Sequence, residues 1–146
     1  MSHAQVTDIH FYHDAEDRVA AACHFAAKAW RAGRKVVLST SAGVEARRID
    51  QWLWTFEPLA FVPHVAADSP LAAETPVLIG EPGAHWPHHD VLINLDPAIP
   101  PCFEDFQMVV EVVGRSEAER DPARARWRQY KAAGHSVTAH NMGDRA

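Results

Sequence analysis

The feature that most restricts the fold of this chain is a series of short runs made up largely of apolar residues. Runs of three to five such residues are typical of strands buried on both faces of a parallel sheet. They predict strands at residues 36–38, 77–79, 91–95 and 109–113. A short first strand at 8–12 precedes them, and 137–140 is a candidate last strand.

Helical periodicity fills much of the sequence between these strands. The first helix is predicted after Asp14, taken as its N-cap with Asp17 as a weaker capping partner, and it ends at Gly33. Its apolar stripe follows the i, i+4, i+7, i+11 pattern and consists of Val19, Cys23, Ala26 and Trp30.

A second helix is predicted after the capping residues 39–41. Its apolar face consists of Val44, Ile49, Trp52 and Leu53. Residues 58–76 contain four prolines and predict a long loop with one extended piece at 61–62. A short helical piece is predicted at 103–108. Asp121 followed by Pro122 predicts the start of a last helix that ends near Ala133.

Strands alternating with helices predict an α/β sandwich with a mostly parallel sheet of about five strands. A length of 146 residues fits one domain, 1–146, with frayed ends at about 1–6 and 141–146. The chain has two cysteines, no apolar run of about 20 residues and no signal-peptide pattern at its start. We therefore expect a reduced, cytoplasmic protein that does not span a membrane.

Charge is distributed unevenly along the chain. The net charge of −5 argues against broad nucleic-acid binding, and no direct contact with nucleic acid is expected. Residues 49–114 contain ten Asp and Glu and no Lys or Arg, whereas residues 115–146 have seven basic against four acidic residues. A local basic segment on an acidic body predicts a small anionic partner.

Catalytic and cofactor motifs give little signal. The chain lacks G-x-G-x-x-G, the P-loop pattern and G-x-S-x-G, and it has no recognisable carboxylate pair. The turn Ser39–Gly43 offers hydroxyls at a helix N-terminus, so a small nucleotide-dependent enzyme remains the alternative function. His85, His88 and His89 form the densest histidine cluster, but their spacing matches no known zinc motif. Cys23 lies on the apolar stripe and is expected to be a core thiol.

The last helix carries the most informative pattern. Four cations fall at i, i+4, i+8 and i+11, namely Arg120, Arg124, Arg128 and Lys131. Trp127 and Tyr130 lie beside them. A guanidinium next to an aromatic pocket can bind a carboxylate that is attached to an apolar side chain. The alternative is a solvated helix face with Trp127 in the core.

A second candidate surface consists of Trp54 and Phe61. Trp54 falls off the core side of the second helix, and Phe61 follows a proline-containing turn. Two large apolar groups away from the core would form a partner patch. The alternative is that the long loop folds back over them.

Several segments, taken in order, resemble a known family over residues from about Ile9 to about Thr138. These segments are Phe11-Tyr12, residues 29–36 (AWRAGRKV), 49–54 (IDQWLW), 61–64 (FVPH), 90–95 (DVLINL), 103–106 (FEDF), 111–113 (EVV) and 124–134 (RARWRQYKAAG). In this order and spacing they resemble the chi subunit of bacterial DNA polymerase III holoenzyme. Two departures are Trp127, where the family has Tyr, and a shorter stretch between Gly114 and Asp121.

The resemblance implies a three-layer, Rossmann-like sandwich without a nucleotide site, and a non-catalytic adaptor. No cofactor is expected, and whether His85, His88 and His89 bind a metal stays open. It implies two kinds of partner: the psi subunit of the clamp loader, and the acidic C-terminal tail of single-stranded DNA-binding protein, which ends in a Phe carboxylate. Tail binding would fall to Arg124, Trp127 and Arg128, with Lys131 beside them. Trp54 and Phe61 match positions for psi, or for a helicase that competes with psi.

Overall fold

The computed structural model describes residues 7–55 and 62–142. Its centre is a seven-stranded sheet in the order β3-β4-β2-β5-β6-β1-β7, in which each pair of neighbours is parallel. The strands are β1 (Asp8–Ala15), β2 (Val36–Ser39), β3 (His64–Ala66), β4 (Val77–Gly80), β5 (Val91–Asn94), β6 (Met108–Gly114) and β7 (Ser136–Asn141).

The predicted α/β class and parallel sheet are confirmed, but the sheet has seven strands rather than about five. The candidate strand at 137–140 is present as β7. The other addition, β3, lies within the segment that was predicted as a loop with an extended piece at 61–62. Phe61 lies outside the described residues, and Val62 is buried without belonging to a strand. At three residues, β3 is too short to give a clear apolar pattern.

Within residues 7–55 and 62–142, three helices pack on the sheet: α1 (Arg18–Arg31), α2 (Gly43–Thr55) and α3 (Glu117–Ala132). Asp17, not Asp14, is the N-cap of α1, because its carboxylate accepts from the backbone N–H groups of Val19 and Ala20. Asp14 instead belongs to β1. Gly33 follows α1 at the predicted position, with the positive φ of +82° that favours glycine there.

The start of α3 differs from the prediction by one turn. Ser116 is its N-cap, and Pro122 lies inside the helix. Glu119 accepts from the Ser116 hydroxyl at 3.0 Å and from the Gly114 backbone N–H at 3.2 Å. The Glu119 carboxylate thus bonds back to the two residues Gly114 and Ser116 at the start of the helix, which begins earlier than the Asp-Pro pair suggested.

The helices form outer layers on the two faces of the sheet. Helices α1 and α2 cover one face, where Ile49 and Leu53 are fully buried. The other face is covered by α3 and by 3₁₀ turns at Ala72–Glu74 and Phe103–Asp105, and Phe106 is fully buried there. Each such side chain contributes about 1.5–3 kcal/mol on burial.

Smaller differences concern the predicted α2 face, the piece at 103–108 and the chain ends. Val44 is 65% exposed, since it lies in the first turn of α2, beyond the sheet that covers Ile49 and Leu53. The predicted helical piece is only the 3₁₀ turn Phe103–Asp105. Asn141 belongs to β7, whereas the rest of the predicted frayed ends, Met142 aside, lies outside the described residues. Within residues 7–55 and 62–142, no helix has both the length and the apolar character needed to span a bilayer.

Candidate functional site

A cleft of about 460 Å³ lies between α3 and the carboxyl ends of β1 and β6. Its floor is apolar and contains Phe11 and Val113. Helix α3 contributes the three arginines spaced by four residues, Arg120, Arg124 and Arg128. The volume falls within the range of about 300–1,000 Å³ that is typical of ligand sites. An apolar floor with cations along one wall suits an anion that carries an apolar group.

Trp127 lines this cleft and also packs against the hydrophobic core. Its ring is half-buried and packs edge-on against Phe11, with ring centres 5.3 Å apart. The Lys131 ammonium lies 5.5 Å from the centre of the Trp127 ring, so this fourth predicted cation lies next to Trp127 but not among the residues that line the cleft. Tyr130, which the sequence places beside the cations, is instead fully buried and donates to Glu111 at 2.7 Å.

The three arginines differ in their partners. Arg120 pairs with Asp14 at 2.9 Å, and Arg124 pairs with Asp121 at 2.9 Å. Arg128 forms no ion pair with any residue in 7–55 or 62–142. Its guanidinium is therefore the one of the three best placed to take a carboxylate from a ligand.

A buried polar network fixes α3 against the sheet. Glu111, in the middle of β6, is fully buried and accepts from Arg126 Nε at 3.2 Å, from Tyr130 and from Asn94. Arg126 also donates to the Pro97 carbonyl at 2.7 Å. Burial raises the pKa of Glu111, while the Arg126 charge acts in the opposite direction. With its inner side held in this way, α3 presents its outer cations in a fixed register.

This network was missed at the level of sequence, although a signal existed. Glu111 interrupts the run Val109–Val113, and a carboxylate in a buried strand requires a partner. Arg126 lies among the cations of α3, but it falls between the positions of the exposed row. The sequence therefore contains both Glu111 and Arg126, but nothing in it indicates that these two side chains form an ion pair.

Asp14 is a second residue whose place in the site was missed. It has a positive φ of +62°, and the pairing of β1 with β6 shifts register between Tyr12 and Ala15. Its carboxylate lies 2.7 Å from His13 Nδ1 and 2.9 Å from Arg120 Nη2. The hydrogen bond with His13 is the main cause that lowers the pKa of Asp14. Asp14 is thus an anionic group at the edge of the cleft.

The second predicted surface is described only in part, because Phe61 lies outside the described residues. Trp54 is 56% exposed on α2, off the core side as predicted. Its ring contacts His64 of β3 edge-on, with centres 5.6 Å apart. His64 Nε2 lies 2.9 Å from Asp50 Oδ1, which joins α2 to the edge strand under Trp54.

The turn Ser39–Gly43 borders another cleft, of about 280 Å³. Both the backbone N–H and the hydroxyl of Ser41 bond to the Asp96 carboxylate, and Thr40 donates to Glu45 at 2.7 Å. These donors are therefore engaged by carboxylates of the chain itself. A phosphate in their place would meet two negative groups, which disfavours the nucleotide interpretation.

The crevice where parallel α/β sheets usually bind ligands is a cavity of about 380 Å³ that is lined largely by charged side chains paired with one another. Helix N-termini at the carboxyl ends of the strands attract anions. Here Glu45 and Glu119, in the first turns of α2 and α3, lie 2.5 and 2.9 Å from the guanidinium of Arg18. Arg18 also donates to the Leu95 carbonyl at 2.8 Å. Two carboxylates thus stand at the helix starts where a phosphate would bind, and they are already paired with Arg18.

The remaining sequence candidates are structural. His88 is buried, with Nε2 2.6 Å from the Thr75 carbonyl oxygen, whereas His85 and His89 are exposed. The described part of the chain contains no group of three or more His, Cys, Asp or Glu that could hold a metal ion. Cys23 is buried in α1, and burial raises the pKa of its thiol to about 12, as expected of a core thiol.

Comparison with known proteins agrees with this architecture. The model of the family described as DNA polymerase III chi subunit, HolC, matches residues 6–138. The chain belongs to the DNA polymerase III chi subunit family. Among curated relatives, the DNA polymerase III subunit chi of Pseudomonas aeruginosa is 34% identical over 129 residues, 88% of this chain and 89% of that protein. The subunit chi of Haemophilus influenzae is 33% identical over 123 residues, 84% of this chain and 85% of its own length.

A third relative, the subunit chi of Escherichia coli, is 30% identical over 121 residues, 79% of each chain. The resemblance inferred from the ordered segments is therefore confirmed, and the matched region contains α2 and every residue that lines the cleft except Ala139. Chi is an accessory subunit of the polymerase, so the chain is a replication protein with partners in the replisome.

Proposed function

We propose that the cleft binds the acidic C-terminal tail of single-stranded DNA-binding protein, and that the chain is a non-catalytic adaptor of one cytoplasmic domain, 1–146. The observation that carries this proposal is the union of an apolar floor with three arginines, of which Arg128 has no ion-pair partner in residues 7–55 and 62–142. A terminal phenylalanine supplies both groups that such a cleft can hold: a ring and a carboxylate.

The binding mode follows from the positions of these groups. The phenyl ring of the tail would lie on the apolar floor beside Trp127 and Phe11. The terminal carboxylate would be bound by Arg128 and Arg124, with Lys131 near the acidic residues that precede it. Burying one Phe-sized side chain contributes about 1.5–3 kcal/mol. A charge-assisted hydrogen bond adds about 1.5–3 kcal/mol, which suits a weak, reversible contact.

The second half of the proposal concerns the surface at Trp54 and Phe61. We propose that it binds the psi subunit of the clamp loader, or a helicase that competes with psi. The support is the exposed indole of Trp54 beside the edge strand β3. Together the two surfaces would link the clamp loader to protein-coated single-stranded DNA without direct contact with nucleic acid.

Calorimetry with an acidic peptide that ends in Asp-Phe tests the first half. Arg128→Ala should weaken binding at least tenfold at low salt, because it removes a guanidinium that has no ion-pair partner among the described residues. The remaining affinity should fall steeply with added salt. The matched control is Arg47→Ala, which removes an exposed arginine on α2, away from the cleft. Equal affinities for the wild type and Arg128→Ala would refute the assignment.

A further inference from the structure

An acidic side chain lies in the very cleft that is proposed to take an acidic peptide. The Asp14 carboxylate lines it together with Arg120, 2.9 Å away, and His13, 2.7 Å away. Among the described residues that line the cleft, Asp14 is the sole carboxylate. Asp14 therefore forms an ion pair with Arg120, whose guanidinium could otherwise bind an anionic ligand.

The backbone is bent at this point so that Asp14 reaches the cleft. The register shift in β1 and the φ of +62° set Asp14 apart from the regular strand before it. Non-glycine residues rarely adopt this conformation, although Asp and Asn tolerate it best. The Asp14 carbonyl accepts from Arg115 Nε at 3.3 Å, which helps to hold the turn. Strained residues of this kind tend to occur where a site requires them.

Three basic residues act on the Asp14 carboxylate, and one of them is Arg115, in the segment between β6 and α3. His13 belongs to its own strand, and Arg120 comes from α3. On its other side, Arg120 lies 3.7 Å from Glu117, an exposed residue in the first turn of α3. Asp14 is thus the closer of two carboxylates on Arg120, and the one that lines the cleft.

We infer that Asp14 is a specificity-determining residue that competes with the carboxylates of the bound peptide for Arg120. This inference rests on the proposed function of the cleft. A ligand that offers charge alone gains little there, because Asp14 repels it and already occupies one guanidinium. A ligand that also places an apolar group on the floor gains enough to bind. Asp14 thereby lowers the affinity of the cleft for all anions, so that only anions with an apolar end group bind well.

Fluorescence anisotropy with a labelled acidic peptide ending in Asp-Phe tests the inference. Asp14→Asn keeps the shape and the hydrogen-bonding oxygen but removes the charge. It should bind the peptide roughly threefold more tightly at low salt, the effect of removing one like charge about 7 Å away in a water-like medium. The gain should disappear at 1 M salt, where the screening length falls to about 3 Å.

Two further variants make the result decisive. Asp14→Gly removes the same charge and suits the positive φ, so it should tighten binding even if asparagine strains the turn. Asp68→Asn removes an exposed carboxylate beside β3, at the opposite edge of the sheet, and should leave the affinity unchanged. If the wild type binds the peptide but both Asp14 variants bind it no more tightly, the inference about Asp14 is overturned, while the proposed function of the cleft still stands. Absence of binding by the wild type would overturn the proposed function as well.

Discussion

Removing Arg126 should destabilise the whole domain, because this residue neutralises a carboxylate at the centre of the sheet. Arg126→Met keeps most of the side-chain volume but loses the hydrogen bond and ion pair with Glu111, at 3.2 and 3.1 Å, and the bond to the Pro97 carbonyl. Both charged groups are buried. Removing one partner of a buried pair costs about 3–5 kcal/mol, since the other charge is left without compensation. Typical domains have a free energy of unfolding of only about 5–15 kcal/mol.

Urea unfolding at pH 7 would measure this loss, and the melting temperature should fall by roughly 10 °C. The loss should be smaller at pH 5 than at pH 8. Without Arg126 the folded-state pKa of Glu111 rises further above its unfolded value, so protonation at low pH favours the folded state. That contribution disappears as the pH rises through the folded-state pKa.

Two controls separate the charge from the packing. Tyr130→Phe removes one hydroxyl from the same network and should cost only about 1–2 kcal/mol. The double variant Glu111→Leu with Arg126→Met replaces the pair by apolar groups and should recover most of the lost stability. An Arg126→Met variant within about 1 kcal/mol of the wild type at pH 7 would refute the idea that this pair holds α3 in place.

The remaining predictions concern the second surface and the alternative function. Phe61→Ala should abolish capture of purified psi in a pull-down while leaving affinity for the acidic peptide intact; loss of both would point to one shared surface or to a folding defect. ATP at millimolar concentration should not shift the melting temperature, because carboxylates already engage Thr40 and Ser41. A nucleotide present at 100 times its dissociation constant would add about 2.7 kcal/mol to the free energy of unfolding. A clear rise in the melting temperature would therefore support the nucleotide hypothesis.

The central strands could be predicted because each is buried on both faces. Strands β2 and β5 are fully buried, and both appear in the sequence as apolar runs. The edge strands carry a weaker signal. In β7, polar and exposed positions prevail, and β3 has only three residues. A strand that pairs with only one neighbour and faces solvent does not require the β-branched and aromatic residues by which a strand is recognised in a sequence.

The same distinction applies to the cleft. The row of cations follows from helical spacing, which is a local property, so the positions of Arg124 and Arg128 could be predicted. Asp14 could not, because its conformation depends on the register of β1 against β6 and on Arg115 and Arg120 of a distant segment. For an isolated sequence, Asp14 before a helix pattern looks like an ordinary cap.

The order of strands has a mechanical consequence. The cleft borders β1, whereas Trp54 stands over β3, and these two strands are separated by four others. At about 4.8 Å per strand, the sheet holds the two surfaces roughly 24 Å apart as a stiff spacer. Since α2 and α3 also lie on opposite faces of the sheet, partners bound to these two surfaces would approach from opposite sides, and each would raise the local concentration of the other.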